Sequence, residues 1–158
     1  MIYQPRGGDL DPVDLENALL RAAFGDYADE AAILLLINFG HWLPQLQAAG
    51  LITVVEEAEG MWARIDWPEL DAELCAGRLL GSSGELRVLH AAASVADGRP
   101  VDLGDLAGGL DRRALVLVLA AIAHAAGSHE HRRVSFDDDG VPYPGEQVPP
   151  LVAWPTRE

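Results

Sequence analysis

The stretch LITVVEEAEGMWARID, residues 51–66, decides how this chain folds. Residues 51–55 and 61–65 form two runs rich in apolar and β-branched side chains, and within each run neighbouring side chains alternate as in a hairpin with one buried face. A polar segment that ends in Gly60 separates the two runs. The stretch therefore predicts one small β-hairpin.

Three helices are predicted before this hairpin. Asp11 and Pro12 supply a side-chain cap and a proline at the first helical position, both typical of a helix start. Residues 33–37 are apolar on every side, which favours a central, buried helix, with a buried strand as the alternative for so short a run. The predicted helices run from Pro12 to near Gly25, from Asp26 or Asp29 to Gly40, and from about Pro44 to just before Gly50.

Helices are also predicted after the hairpin. Ser82 and Glu85 match a capping box. Asp111 can cap a long helix whose middle, residues 114–119, is apolar all round, so this helix is a candidate for the centre of the core or for a dimer interface. The predicted helices cover residues 68–80, Ser82 or Ser83 to about Asp97, a short turn around Leu103 and Leu106, and Asp111 to about Ala126.

The composition changes from Ser128 onward. Residues 133–136 suggest a short strand, and residues 137–140, with three aspartates and a glycine, indicate a turn. Five of the ten prolines lie between residues 142 and 155, so this tail is predicted to be extended and not helical. It folds back across its own domain or lies in a groove on another chain.

The order of three helices and a hairpin over residues 12–66 resembles the winged-helix family. The resemblance rests on residues 46–52, where the third helix leads into the first strand, and on residues 61–66 as the strand after the wing. Winged-helix units imply DNA binding, with the third helix in the major groove. Here the third helix, residues 40–49, has no arginine or lysine, and the wing, residues 56–60, has three glutamates. Phosphate contacts need positive charge there, so a protein-interaction scaffold is the favoured reading.

The second half of the chain carries another resemblance. Residues 83–89, 110–113 and 121–127 are similar to a segment of short bacterial proteins to which no activity is attached. This resemblance implies a recurring arrangement and a bacterial source, and it transfers no function.

These features predict a mainly α protein of the α+β class. It is a helical bundle with a small β-hairpin, a winged-helix-like N-terminal part and an extended C-terminal tail. At 158 residues, 49% of them hydrophobic, the chain is expected to form one domain over residues 1–158. Its parts are the helices and hairpin of 12–66, a helical half of 67–127, and the proline-rich tail of 128–158.

The charge of the chain constrains its partners. There are 25 acidic residues against 11 basic ones, a formal net charge of −14, and every basic residue is an arginine. Such a charge repels nucleic acids and anionic membranes. Nucleic-acid binding would require the arginines to converge, including the pairs at 112–113 and 132–133. The absence of lysine excludes Schiff-base chemistry and a P-loop.

A cytoplasmic location is expected. Cys75, placed on the apolar face of helix 68–80, is the only cysteine, so no internal disulfide forms and a reducing compartment fits. Residues 1–8 do not have the plan of a secretion signal. The longest apolar run, residues 114–123, is about half the length that a membrane-spanning helix needs.

Histidines and acids raise the question of a metal site. His124, His129 and His131, with Glu130, offer ligand types that zinc accepts, but their spacing matches no known motif. A histidine at a helix end, where its charge suits the helix dipole, and two in a polar loop are the favoured explanation. We therefore predict no metal, no cofactor and no catalytic residue.

The tryptophans are the candidate partner-binding residues. They serve in the core or as exposed anchors, because protein interfaces favour tryptophan. The sequence thus favours a non-enzymatic interaction or regulatory protein, with a protein partner or a second copy of itself. The alternatives are a small hydrolase that uses converged carboxylates and histidines, and a DNA-binding regulator. The four candidates are Trp42, Trp62, Trp67 and Trp154.

Overall fold

Seven α-helices and two antiparallel β-hairpins build the part of the chain that the structure, a computed structural model, describes, residues 10–156. The predicted mainly α fold with a small β-hairpin is confirmed. The elements are α1 (Pro12–Ala23), α2 (Tyr27–Phe39), α3 (Trp42–Ala48), β1 (Ile52–Glu57), β2 (Gly60–Ile65), α4 (Trp67–Cys75), α5 (Ser83–Asp97), α6 (Leu103–Gly109), α7 (Arg112–Ala125), a 3-10 turn (Ser128–Glu130), β3 (Arg132–Phe136) and β4 (Pro142–Gln147).

Helix α2 is the centre of the fold. Its Ala31, Leu35 and Leu36 have no exposed surface, and it packs against α1, α5 and α7. Neighbours on several sides explain why residues 33–37 are apolar all round, and they show that this run is a helix and not a strand.

The helices begin where the sequence places their caps. Asp11 accepts a hydrogen bond from the Asp14 amide at 2.9 Å, and Asp111 does the same for Ala114 at 2.8 Å. Ser82 and Glu85 form both bonds of the predicted capping box. None of the helices within residues 10–156 has the length and apolarity needed to cross a bilayer.

Helix α4 ends earlier than the sequence predicts. It stops at Cys75, not near Leu80, because Gly77 adopts a left-handed conformation with φ of 71°. The Arg78 amide then bonds back to the Glu73 carbonyl at 3.1 Å, the bond pattern of a glycine-terminated helix. As a result Cys75 is exposed and not packed against the core.

The first hairpin is part of the core. Strands β1 and β2 pair in register, and the inward side chains Ile52, Val54, Ala63 and Ile65 are all buried. Helix α1 packs against β2. The strands are longer than predicted, since Glu57 pairs with Gly60 and only two residues remain in the turn.

The tail forms a second hairpin. Strand β4 is extended, as predicted for residues 142–155, and it pairs with β3. The hairpin joins the body at its base, where the Val148 amide donates to the His131 carbonyl at 2.9 Å and the Leu151 amide donates to Ser128 Oγ at 2.6 Å. The chain therefore folds back on its own neighbouring strand, and the choice between the two alternatives for the tail stays a prediction.

Candidate functional site

Two of the four candidate tryptophans lie in the core. Trp42 has no exposed surface, and its indole N–H donates to the Glu85 carbonyl at 2.9 Å. Gly81 leaves room for this ring, because a Cβ at that position would lie 2.9 Å from Cη2. Trp67 is buried and hydrogen-bonds Asp29. Trp42 is thus closed to a partner in this fold, whereas Trp67 keeps a small exposed part and lines a pocket.

The other two tryptophans are half-buried. Trp62 lies on the outward face of the first hairpin, directly across from Val55. Its indole N–H is shielded from solvent and has no acceptor among the described residues. Trp154 belongs to the segment after β4 and packs against the body beside His124. The structure thus brings the four rings to separate places.

Burial changes the acidity of Asp29, the partner of Trp67. Desolvation raises the pKa of this carboxyl, and the nearby charge of Asp26 raises it further. The charge of Arg64 and the hydrogen bond from Trp67 act in the opposite direction and are outweighed. This group is a structural acid at the contact between α2 and the first hairpin.

The second hairpin carries four of the exposed large apolar side chains of the described chain. Val134, Phe136, Val141 and Tyr143 expose half or more of their area. No residue of β3 or β4 is buried, and only Ser135 and Gly145 are half-buried. These apolar side chains make no core, so they are available for contact with another molecule.

The tip of this hairpin is acidic. Residues 137–139 are three aspartates, and residues 132–147 have four acids against two arginines, Arg132 and Arg133, which lie at the base. Asp137 shapes the turn, because its Oδ1 accepts hydrogen bonds from the Asp139 and Val141 amides, both at 2.9 Å. Aromatic and acidic side chains therefore occupy one projecting element, which we call the second hairpin arm (residues 132–147).

A cluster of titratable side chains lies at the base of this arm. His124 Nε2 and Glu30 Oε1 are 2.9 Å apart, with 12% and 16% of their side chains exposed. The ring of His129 stacks on that of His124, with centroids 3.7 Å apart and planes 8° from parallel. Tyr27 packs edge-on against His129 at 4.8 Å. Three elements, α2, α7 and the 3-10 turn, thus contribute to one cluster.

The hydrogen bonds of the cluster fix the proton on His124. The indole N–H of Trp154 lies 3.4 Å from His124 Nδ1, and an indole nitrogen only donates. Nδ1 is therefore the acceptor, so the proton of the neutral ring is on Nε2 and points at Glu30. Glu30 is itself held by the Gly25 amide, which donates to its Oε2 at 2.9 Å. His129 Nδ1 is shielded from solvent and has no partner among residues 10–156.

This cluster differs from the one that the sequence suggests. Glu30 replaces Glu130 as the acid, although both carboxylates line the adjoining open pocket of about 400 Å³. His131 is exposed and is not part of the cluster. Glu30 lies 94 residues before His124 in the chain, so no local spacing could have pointed to it.

The cluster is not a nucleophilic triad. In a triad, one histidine nitrogen donates to the carboxylate and the other accepts from the nucleophile. Here Trp154 occupies the position of the nucleophile, and an indole N–H does not attack a carbonyl. Ser128, a nearby hydroxyl in the chain, accepts from the Leu151 amide. The pocket does bring two acids, Glu30 and Glu130, together with His124 and His129. The hydrolase alternative requires such a convergence, so it stays open.

The two arginine pairs lie on different elements. Arg112 and Arg113 begin α7, whereas Arg132 and Arg133 begin β3, after the 3-10 turn that follows α7. Arg113 donates to the Asn38 and Phe39 carbonyls at the end of α2.

The third helix and the wing of the winged-helix resemblance carry polar and acidic side chains. Both polar atoms of the Gln45 side chain on α3 bind the backbone of Leu80, and Glu56, Glu57 and Glu59 are exposed at the tip of the first hairpin.

The chain matches no protein-family model, no curated protein and no solved structure. The winged-helix resemblance therefore stays a prediction.

Proposed function

We propose that this protein is a non-enzymatic, cytoplasmic interaction protein whose second hairpin arm binds a protein partner with a basic surface. The observation that carries the proposal is the exposure of Val134, Phe136, Val141 and Tyr143 on an element without a core of its own. Exposed apolar clusters rimmed by polar groups mark interaction sites, and aromatic side chains are enriched in such sites.

The charge of the arm supports the choice of a basic partner. Asp137, Asp138 and Asp139 lie at the tip beside Phe136, and the whole chain carries a net charge of −14. Such a field attracts a positively charged surface and speeds its encounter, whereas a second acidic copy is repelled. The charge thus favours the encounter, and burial of the apolar side chains of the arm then stabilises the complex.

The form of the arm also supports the proposal. A two-stranded hairpin on its own is marginally stable in water, and this one is joined to the body mainly at its base. A partner that packs on its exposed apolar side chains, which lie on both faces of the strand pair, supplies the burial that the chain itself does not. The exposed thiol of Cys75 is compatible with the reducing compartment that we propose.

The experiment compares two double variants as baits in extracts of the cells that make the protein. Phe136→Ser with Tyr143→Ser removes the aromatic side chains of the arm, and Val13→Ser with Phe24→Ser removes apolar side chains that are at least as exposed from α1 and its end. We expect one basic protein to bind the wild type and the α1 variant, to elute with salt, and to be lost from the arm variant.

A photo-crosslinking residue at position 134 then identifies the contact. The proposal requires the retained protein to crosslink from position 134 and not from position 24. Equal retention by both variants, or self-association as the only product, would contradict it. Analytical ultracentrifugation of the protein alone measures self-association directly. This control is needed because Leu119 and Ile122 are exposed on α7 and offer an apolar surface to a second copy.

A further inference from the structure

The cluster at the base of the arm has the donor set of a transition-metal site. One ligand atom each from Glu30, His124 and His129 can be chosen so that all three lie within 4.8 Å of one another. Two imidazoles and a carboxylate are the protein ligands of one known class of zinc sites, which leave the fourth position to water or to another ligand. The inference is independent of the proposed partner.

We infer that Glu30, His124 and His129 bind one divalent transition-metal ion, with zinc as the best match to this donor set. Calcium and magnesium prefer sites built only from oxygen, so two nitrogen ligands exclude them. The open pocket beside the three side chains gives an ion access to the site from solvent.

The burial of the three groups favours such an ion. The Glu30 and His124 side chains are mostly shielded from solvent, and a bound cation interacts more strongly with shielded ligands than with hydrated ones. His129 Nδ1 is shielded and has no partner among residues 10–156. A buried nitrogen without a hydrogen bond is unfavourable, and a metal bond or a metal-bound water satisfies it.

Binding requires one change in the cluster. The stacked rings of His124 and His129 are parallel, so their nitrogens cannot both aim at one ion until a ring turns. His129 is the ring that can turn, because its contacts are with the rings of Tyr27 and His124. A zinc ion at about 2.0–2.2 Å from each donor then brings the ligand atoms to roughly 3.5 Å from one another.

The ion and Trp154 compete for His124. When Nε2 of His124 binds a metal, the ring proton lies on Nδ1, and Nδ1 can no longer accept from the Trp154 indole. The ion would therefore fix His129, in the 3-10 turn that leads into β3, to the core helices α2 and α7, and would remove the hydrogen bond between Trp154 and His124.

The test is zinc binding by the full chain after treatment with a chelator. Zinc chloride is titrated in competition with a chromophoric chelator, and we expect one zinc per chain. His129→Ala should weaken binding at least tenfold. His131→Ala is the matched control, because His131 is an exposed histidine two residues away that lies outside the cluster.

A second control addresses the other histidine–carboxylate pair of the described chain. His41 Nδ1 lies 3.0 Å from Glu85 Oε2, and His41→Ala should leave the affinity unchanged. Metal-free melting curves must show that His129→Ala is folded, which we expect because its side chain makes only ring contacts. Absence of stoichiometric binding, or equal affinity of the wild type and folded His129→Ala, would overturn the site.

Trp154→Phe tests the assigned ligand atom. Phenylalanine cannot donate to Nδ1, so zinc binding should tighten by roughly twofold to tenfold, the contribution of one neutral hydrogen bond. Equal or weaker binding would show that Nε2 of His124 is not the ligand.

Discussion

The two hairpins of this protein are similar in length and opposite in burial. In β1–β2 the inward side chains Ile52, Val54, Ala63 and Ile65 are buried against the helices. In β3–β4 comparable apolar side chains are exposed on an arm that makes its contacts mainly at the base. The first hairpin is held by the core, whereas the second depends on its own strand pairing and on whatever covers it.

The difference shows that apolar strand residues do not by themselves imply a core. What decides the role is whether another element packs on the strand. Helix α1 covers β2, but no helix of the described chain covers the face of the second arm to a comparable extent. The first hairpin therefore contributes to the stability of the core, and recognition by the second is our proposal.

Replacement of tryptophans should give the largest contrast between body and arm. Trp42→Ala removes a fully buried ring and its bond to Glu85, and it should cost about 3–5 kcal/mol in the free energy of unfolding. Trp154→Ala, on a half-buried ring at the base of the arm, should cost less than half of that. Urea denaturation measures both, and equal costs would remove the distinction.

A matched pair of valines compares the strands themselves. Val54 in β1 is 2% exposed and Val134 in β3 is 65% exposed. Val54→Ala should lower the free energy of unfolding by roughly 1–3 kcal/mol, whereas Val134→Ala should change it by less than about 0.5 kcal/mol. If Val134→Ala were as destabilising as Val54→Ala, the arm would be part of the core.

The pH dependence of stability should reveal the smallest contrast. The native pKa of Asp29 lies above its unfolded value, so the native state holds this proton more tightly, and the stabilisation is lost as pH rises through the native pKa. The melting temperature of Asp29→Asn should therefore increase relative to that of the wild type as the pH rises from the pKa of Asp29 in the unfolded chain toward neutrality. A difference that is constant with pH would contradict the raised pKa.

The sequence predicts the body of the fold because its signals are local. Asp11, Ser82 and Asp111 cap helices with side chains that reach only three residues ahead. The first hairpin can be predicted because one of its faces is buried, and a strand with one buried face has alternating apolar and polar residues, as in residues 51–65. These features do not depend on distant parts of the chain.

The second arm and the histidine cluster depend on contacts that the sequence does not display. The prolines of β4 indicate an extended segment but not its pairing, which needs a bulge between Arg132 and Val134 and a glycine at position 145, where a Cβ would collide with Ser135. The turn at residues 137–140 was the available signal for this pairing. Glu30 joins His124 only through the packing of α2 against α7.

Hydrogen exchange of the full chain tests the central claim that the two hairpins have different roles. Strand amides of β1–β2 should exchange only with global unfolding, because their hairpin is part of the core. Strand amides of β3–β4 should exchange at least about a hundredfold faster through local opening of the arm. Equal protection of the two hairpins in the isolated chain would contradict the account, because it would show that the second arm is already held by the core.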